Sequence, residues 1–142
     1  MSVSSALGPV SVAVYAALSV AGVTALVGTR IYDDVPQGVS FPFVLYEVQE
    51  TFSGGLGTKP GDTRGMWDID LRVHVFSTYA GFKEAQAILA ACVTALVSPV
   101  AVTGLTMHAI FHDAAVPLGD EIINGVKCKE LVQLGRIYVE AT

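Results

Sequence analysis

The chain is short of charge. Of its 142 residues only 15% are Asp, Glu, Lys or Arg, while 52% are hydrophobic. A monomer that stands alone in water normally carries more charge on its surface. Two readings follow. The excess is an Ala/Val-rich interior, or much of the surface is covered by other subunits, because obligate interfaces are poorer in charge than free surface. Positive charge is the scarcest kind: eight Lys and Arg face thirteen Asp and Glu, for a net charge of −5. No basic stripe is available to grip phosphates, which argues against nucleic-acid recognition by the usual electrostatic route. An acidic wall can still enclose DNA, since it repels phosphate and leaves passage slippery.

Cysteine is nearly missing as well. Cys92 and Cys128 match no zinc or redox spacing, and Cys92 falls on the apolar face of a helical pattern, where a buried thiol is expected. A reducing, cytosolic setting is the expectation. Met1 to Thr29 contains no charged residue at all. The positive leader of a signal peptide is therefore lacking. Gly8, Pro9, Gly22 and Gly28 interrupt the stretch and Ala, Ser and Thr make up much of it, so it falls short of the ~20 strongly apolar residues of a membrane span. A buried helix is the expectation here, with no membrane partner.

What is present reads as alternating helices and hairpins. A helix is expected from about Pro9 to Ala21, with Pro9 at its first position, where the missing N–H costs nothing. Tyr15, Leu18 and Gly22 lie along one flank, Val23 to Val27 adds a further turn, and Gly28 serves as the C-cap. Phe41 to Thr51 is dense in strand-forming residues, with Pro42 at its start or on an edge. Phe52 to Gly65, FSGGLGTKPGDTRG, reads as a long loop that orders on a partner or forms a simple hairpin tip. Trp67 to Phe76 alternates strictly: Trp67, Ile69, Leu71, Val73 and Val75 on one face, Asp68, Asp70, Arg72 and His74 on the other.

Ser77 or Thr78 can N-cap a helix from about Ala80 to Val97, whose stripe is Phe82, Ala85, Leu89, Cys92 and Leu96, widened by Ile88 and Val93. Leu105 to His112 and Val126 to Val139 read as two more strands. Between them Pro117-Leu118-Gly119-Asp120 and Asn124-Gly125 carry turn chemistry. The alternation slips near Glu130–Leu131, where a bulge is expected. The fold class is α+β: an antiparallel or mixed sheet of two hairpins with two main helices packed on it, in the order α-β-β-α-β-β, as a single domain spanning 1–142.

No arrangement of residues points to chemistry. His108 and His112 lie four apart, which on a strand puts both rings on one face but about 13 Å from each other, too far to share a metal. Asp33-Asp34 fits a turn better than an acid–base pair. Asp68 and Asp70, roughly 7 Å apart on one strand face, form with Arg72 a charge ladder. Gly54-Gly55-Leu56-Gly57-Thr58-Lys59 lacks the Gly-Lys-Ser/Thr ending of a phosphate loop, and it joins two strands rather than a strand to a helix. No catalytic, metal or cofactor site is expected, and no enzyme activity.

Several pieces in order carry a family resemblance. A leading helix ends in Ala25-Leu26-Val27-Gly28 and is followed by Arg30-Ile31-Tyr32. Then come the acidic turn Asp33-Asp34-Val35-Pro36-Gln37-Gly38 and Phe41-Pro42-Phe43-Val44. After the loop, Val73-His74-Val75-Phe76-Ser77 leads into Ala80-Gly81-Phe82-Lys83-Glu84-Ala85, and two strands close the chain. This series resembles the tail-completion, or tail-terminator, proteins of long-tailed (siphovirus-type) bacteriophages and related gene-transfer particles.

The resemblance implies a tail-terminator-like fold and a virion structural protein at the tail–neck junction, assembled in the bacterial cytoplasm. It implies a homo-hexameric ring that caps the tail tube, stops its polymerisation and offers a head-joining surface. The implied partners are further copies of the chain, the tail-tube protein and a neck or head-completion protein, with DNA passing through the lumen and no sequence-specific contact. Candidate partner contacts are Asp33, Asp34, Pro36 and Gln37 in the turn, Phe52, Leu56, Thr58, Lys59, Asp62 and Arg64 in the loop, and Asp68, Asp70 and Arg72 on the polar strand face. A head–tail neck connector is the nearest alternative. A small-molecule-binding regulatory α+β domain is the alternative from another class.

Overall fold

The computed structural model of the chain describes residues 6–55 and 65–142. It is α+β: three helices and a mixed five-stranded sheet in the sequence α1 (Leu7–Leu18), α2 (Ala21–Val27), β1 (Ile31–Tyr32), β2 (Phe43–Gly55), β3 (Gly65–Ser77), α3 (Lys83–Ala95), β4 (Leu105–Ile123) and β5 (Val126–Ala141). The strand order across the sheet is β1-β2-β3-β5-β4. The two expected hairpins are β2–β3 and β4–β5, joined through antiparallel pairing of β3 with β5.

The expected first helix is two helices. α1 stops at Leu18, where Ser19 Oγ donates to Tyr15 O at 2.8 Å, and α2 leaves at 78° to it. The break therefore falls at Ser19–Val20, not at Gly22, which lies inside α2. Pro9 sits in the first turn of α1, where an N–H has no helical partner in any case. The buried stripe of α1 is Val10, Ala13, Val14 and Leu18, so Tyr15 faces outward, its ring tilted against Tyr46 with centroids 6.2 Å apart. Gly28 caps α2 at φ 62°, a conformation open to glycine at little cost. Among the described residues no single helix is long and apolar enough to cross a membrane.

The strand β1 has too few residues to leave a sequence signal; it pairs parallel with β2, Ile31 opposite Val44. Strand β2 starts after a cis Phe41–Pro42 bond and runs past the expected Thr51 to Gly55, with a bulge between Glu50 and Phe52. The loop expected over 52–65 is thus shorter. Phe52 stands in the ladder opposite Asp68, while Leu56, Thr58, Lys59, Asp62 and Arg64 lie outside the described residues. Strand β3 has the anticipated alternation, and Trp67, Ile69, Leu71, Val73 and Val75 are all buried.

Helix α3 is shorter than expected at both ends. Its N-cap is Phe82, with no side-chain cap bond. Ser77 acts before the helix: its hydroxyl donates to Glu84 Oε1 at 2.6 Å and accepts the Tyr79 N–H at 3.1 Å. Ala85, Ile88, Leu89 and Cys92 are buried as the stripe requires.

The largest departure is β4. It does not end at His112 but continues for 19 residues, through the Pro117-Leu118-Gly119-Asp120 segment expected to turn. Three register shifts absorb the irregular residues: between Met107 and Ala109, between His112 and Ala114, and between Pro117 and Gly119. Pro117 is tolerated because β4 is the outermost strand and one of its edges has no ladder to feed. The bulge expected near Glu130–Leu131 falls directly across from them, as an extra Leu118 on β4, while β5 keeps unbroken register with β3. Asn124 (φ 50°) and Gly125 (φ 79°) make the hairpin turn, the conformation a two-residue type I′ turn demands.

The main core fills the space between the three helices and one face of the sheet. A second, small cluster lies on the other face at one end, where Phe43, Phe76 and Cys128 are buried under Val35, Val39, Phe41 and Ile123.

Two outcomes follow from this packing. At Gly135, opposite Leu71 on β3 and His112 on β4, an added Cβ would come within 2.6 Å of the Phe111 carbonyl oxygen. Gly135→Ala should lower stability by about 1–3 kcal/mol by forcing β4 and β5 apart, read by urea unfolding; an unchanged midpoint would contradict this packing. The Cys92 thiol is fully buried, and burial pushes its pKa from 9.0 up to about 12. The unfolded thiol ionises first, so its contribution is fully present below pH 9 and lost as pH rises towards about 12. The wild type should therefore lose stability faster than Cys92→Ala across that window, by up to about 1.4 kcal/mol per pH unit. Parallel curves would show that Cys92 ionises freely in the fold.

Candidate functional site: the open face of the sheet

With helices on one face only, β-strand alternation leaves the other face of the sheet to present its side chains outward. On β3 these are Asp68, Asp70, Arg72 and His74. Register then decides their neighbours. Arg72 stands opposite Glu47 on β2 and Leu134 on β5, and Asp70 stands opposite Gln49 and Arg136. The charge ladder expected on one strand is therefore a patch across four.

Two shallow depressions flank Arg72. One, about 220 Å³, is lined by Glu47, Gln49, Asp70 and Arg72; the other, about 200 Å³, by Asp70, Arg72, Asp113, Leu134 and Arg136. Arg136 is held in place by a two-pronged contact, Nε to Asp113 Oδ2 at 3.1 Å and Nη2 to Asp113 Oδ1 at 3.3 Å. It also donates to Tyr138 Oη at 3.2 Å and lies 5.4 Å from the centre of the Phe111 ring. The Asp113 carboxylate raises the Arg136 pKa further above its ordinary range. Both groups are solvent-exposed, so the pair fixes geometry more than it adds stability.

His74 lies between two carboxylates: Nε2 is 2.5 Å from Glu47 Oε1 and Nδ1 is 2.6 Å from Glu130 Oε2. A neutral imidazole has one N–H, so both contacts are hydrogen bonds together only if the ring or one carboxyl carries an extra proton. Glu130 is buried, and this contact satisfies it. His108 reaches Glu140 at 2.8 Å, while His112 meets the Leu96 carbonyl at the end of α3 at 3.0 Å. The two histidines thus point to opposite faces, not to one as even strand spacing requires; the bulge at His108 reverses the alternation between them. Among the described residues no group of three His, Cys, Asp or Glu side chains is placed to hold a metal ion.

The acidic turn closes one end of this face. Val35, Val39 and Phe41 pack on the cluster of Phe43, Phe76 and Cys128, and Asn124 Nδ2 at the tip of the β4–β5 hairpin donates to the Pro36 carbonyl at 3.3 Å. Asp33, Asp34, Pro36 and Gln37 stay exposed. The structure therefore packs Val35, Val39 and Phe41 of the acidic turn against one end of the face that carries Asp68, Asp70 and Arg72. It adds Glu47, Asp113, Glu130 and Arg136, which sequence reasoning missed. Arg136 and Glu130 share a period of two on β5, but Val132 and Leu134 between them hide it. Among the described residues this face carries seven carboxylates (Glu47, Asp68, Asp70, Asp113, Glu121, Glu130 and Glu140) against two guanidinium groups (Arg72 and Arg136).

A solved structure titled "Virion of native gene transfer agent (GTA) particle" contains a chain of this same fold. The TM-score is 0.75 with 24% identity, over 98% of this chain and 100% of that one. No curated protein matches the sequence. The sequence profile of the family described as "Tail completion protein gp17" matches residues 12–119, which takes in α2, α3 and part of α1, the acidic turn, β1 to β3 and most of β4, but not β5. The resemblance read from the order of sequence pieces is thereby borne out: the chain belongs to the tail completion protein gp17 family, structural proteins of phage-type tails.

Proposed function

We propose that the protein caps the end of the tail tube as a homo-hexameric ring at the tail–neck junction. One face of the ring complements the last tube ring; the other cannot accept another and instead meets a neck or head-completion protein. DNA passes through the lumen without sequence-specific contact. The observation that carries this reading is the family match over residues 12–119. The charge distribution supports it. An acidic patch with few cations repels phosphate, and the shallow, open depressions around Arg72 do not offer the enclosed, largely apolar pocket that small ligands need. The exposed Asp33, Asp34, Pro36 and Gln37, then Phe52, Leu56, Thr58, Lys59, Asp62 and Arg64, and Asp68, Asp70 and Arg72 are the proposed contacts with tube and neck partners.

Electron microscopy of particles assembled without the gene tests the reading. Headless tails of abnormal, variable length are the expected result. Tails of normal length that fail to join heads would replace it with a neck-connector role, and normal intact particles would overturn both. The turn can be tested separately. Asp33→Lys with Asp34→Lys should leave stability within about 0.5 kcal/mol, since both are exposed. Joined particles should nevertheless fall about tenfold or more, as expected when a charged contact worth about 1.4 kcal/mol is reversed at a docked interface. Undiminished particle yield would remove the turn from the contact set.

A further inference from the structure

The helices are the counterpart of the acidic face. Residues 6–29 contain no charge, and the three helices together hold only Lys83 and Glu84, both at the start of α3. Yet the outer surface of α1 and α2 is not covered. Val12 is 70% exposed, and Tyr15, Val20 and Leu26 are each more than two-fifths exposed. Helices facing water ordinarily show charged residues there, and apolar exposure on this scale marks an interface.

A second uncharged strip lies at the other side of the molecule. Helix α1 packs over β2 and β1, at one edge of the sheet, while α3 covers β3 and β5. Strand β4 is the opposite edge. Its segment Ala114 to Gly119 has no charge, Ala114, Ala115, Pro117 and Leu118 are exposed, and Leu118 is 50% exposed. The bulge at Asp113 just before this segment, and Pro117 and the bulge at Leu118 within it, spoil the edge for adding a further strand, so what meets it must pack by side chains.

From these two strips we infer that the α1–α2 surface of one copy docks on the Ala114–Leu118 strip of the next copy. The inference rests on the ring reading above and names its subunit interface. Charge matching selects the occupant. A partner bringing charge onto the α1–α2 surface would bury it unpaired, at a cost that excludes it, and this same chain carries an uncharged strip to supply instead. Two different patches at opposite edges of one molecule make a heterologous, head-to-tail contact. Such a contact does not stop at a dimer, and where its rotation closes around an axis it gives a ring. The part of the acidic face carried by β2 and β3 is then left free of the subunit interface.

The test uses the full-length protein with Val12→Lys, Leu118→Glu and the two combined. In sedimentation velocity each single change should move self-association at least tenfold to higher concentration. The combined variant should recover it, since every contact then sets a lysine against a glutamate. A second measurement is independent of any loss of folding: Val12→Cys with Leu118→Cys, oxidised in assembled tails, should give a ladder of cross-linked copies, because Cys92 and Cys128 are buried. Each single cysteine variant should give none. A Val12→Cys chain that links to itself as a dimer, or a double variant that stays unlinked on tails bearing rings, overturns this interface and leaves the ring standing. If Val12→Lys blocks tail binding but not self-association, the surface belongs to the tube and the inference falls. Tail ends that show no ring in negative stain remove the ring reading, and this inference with it.

Discussion

Register along β3 is the constraint on which the rest of the structure depends. The strand lies in the middle of the sheet, paired on one side with β2 and on the other, without a break, with β5. Its alternation puts five large apolar side chains under the helices and Asp68, Asp70, Arg72 and His74 on the opposite face. A slip by one residue would exchange the two sets, burying four polar or charged side chains against helices that offer almost nothing to pair with them. The near absence of charge in the helices and the strictness of β3 are therefore two expressions of one requirement. The tolerance for irregularity is accordingly pushed outwards: the three register shifts of the β4–β5 pair arise on the edge strand, where only one neighbour has to adjust.

That hierarchy explains what the sequence made legible. β3, the buried stripe of α3 and the Asn124-Gly125 turn each carry a strong local signal, and each stands where local pattern and tertiary packing agree. The misses fall where tertiary context overrules local chemistry. Pro117-Leu118-Gly119-Asp120 has the composition of a turn, yet pairing with β5 holds it extended and a bulge takes up the surplus. The first helix breaks at Ser19–Val20 because α1 and α2 bury separate stripes against different neighbours, which composition does not encode. β1 exists only through two residues bonded to β2. For the polar face, one strand was readable, but its partners Glu47, Asp113, Glu130 and Arg136 come from three other strands and become neighbours only once register is known.

The polar face and the helical surface differ in the kind of partner each can accept. Glu47, His74 and Glu130 form a chain of close contacts, and Arg136 is engaged by Asp113, Tyr138 and Phe111. Arg72, by contrast, is exposed between two depressions and has no ion pair among the described residues. Prearranged charges of this kind confer specificity and orientation more than raw affinity, which suits contacts that must be made once and in one direction. The uncharged helices suit a different kind of contact, apolar burial in which no charge has to be matched, as in the subunit interface inferred above.

Segregating the two surfaces on one small chain has a consequence for assembly order. An apolar contact between copies gains from burial irrespective of ionic conditions, whereas a charged face remains soluble and repels other acidic surfaces until its own partner arrives. A chain with net charge −5 concentrated away from its helices can therefore associate laterally without stacking face to face, because stacking would bring one acidic patch against another. In the proposed ring, the same asymmetry that leaves the helices uncharged would oppose growth along the axis, as the proposed capping role requires.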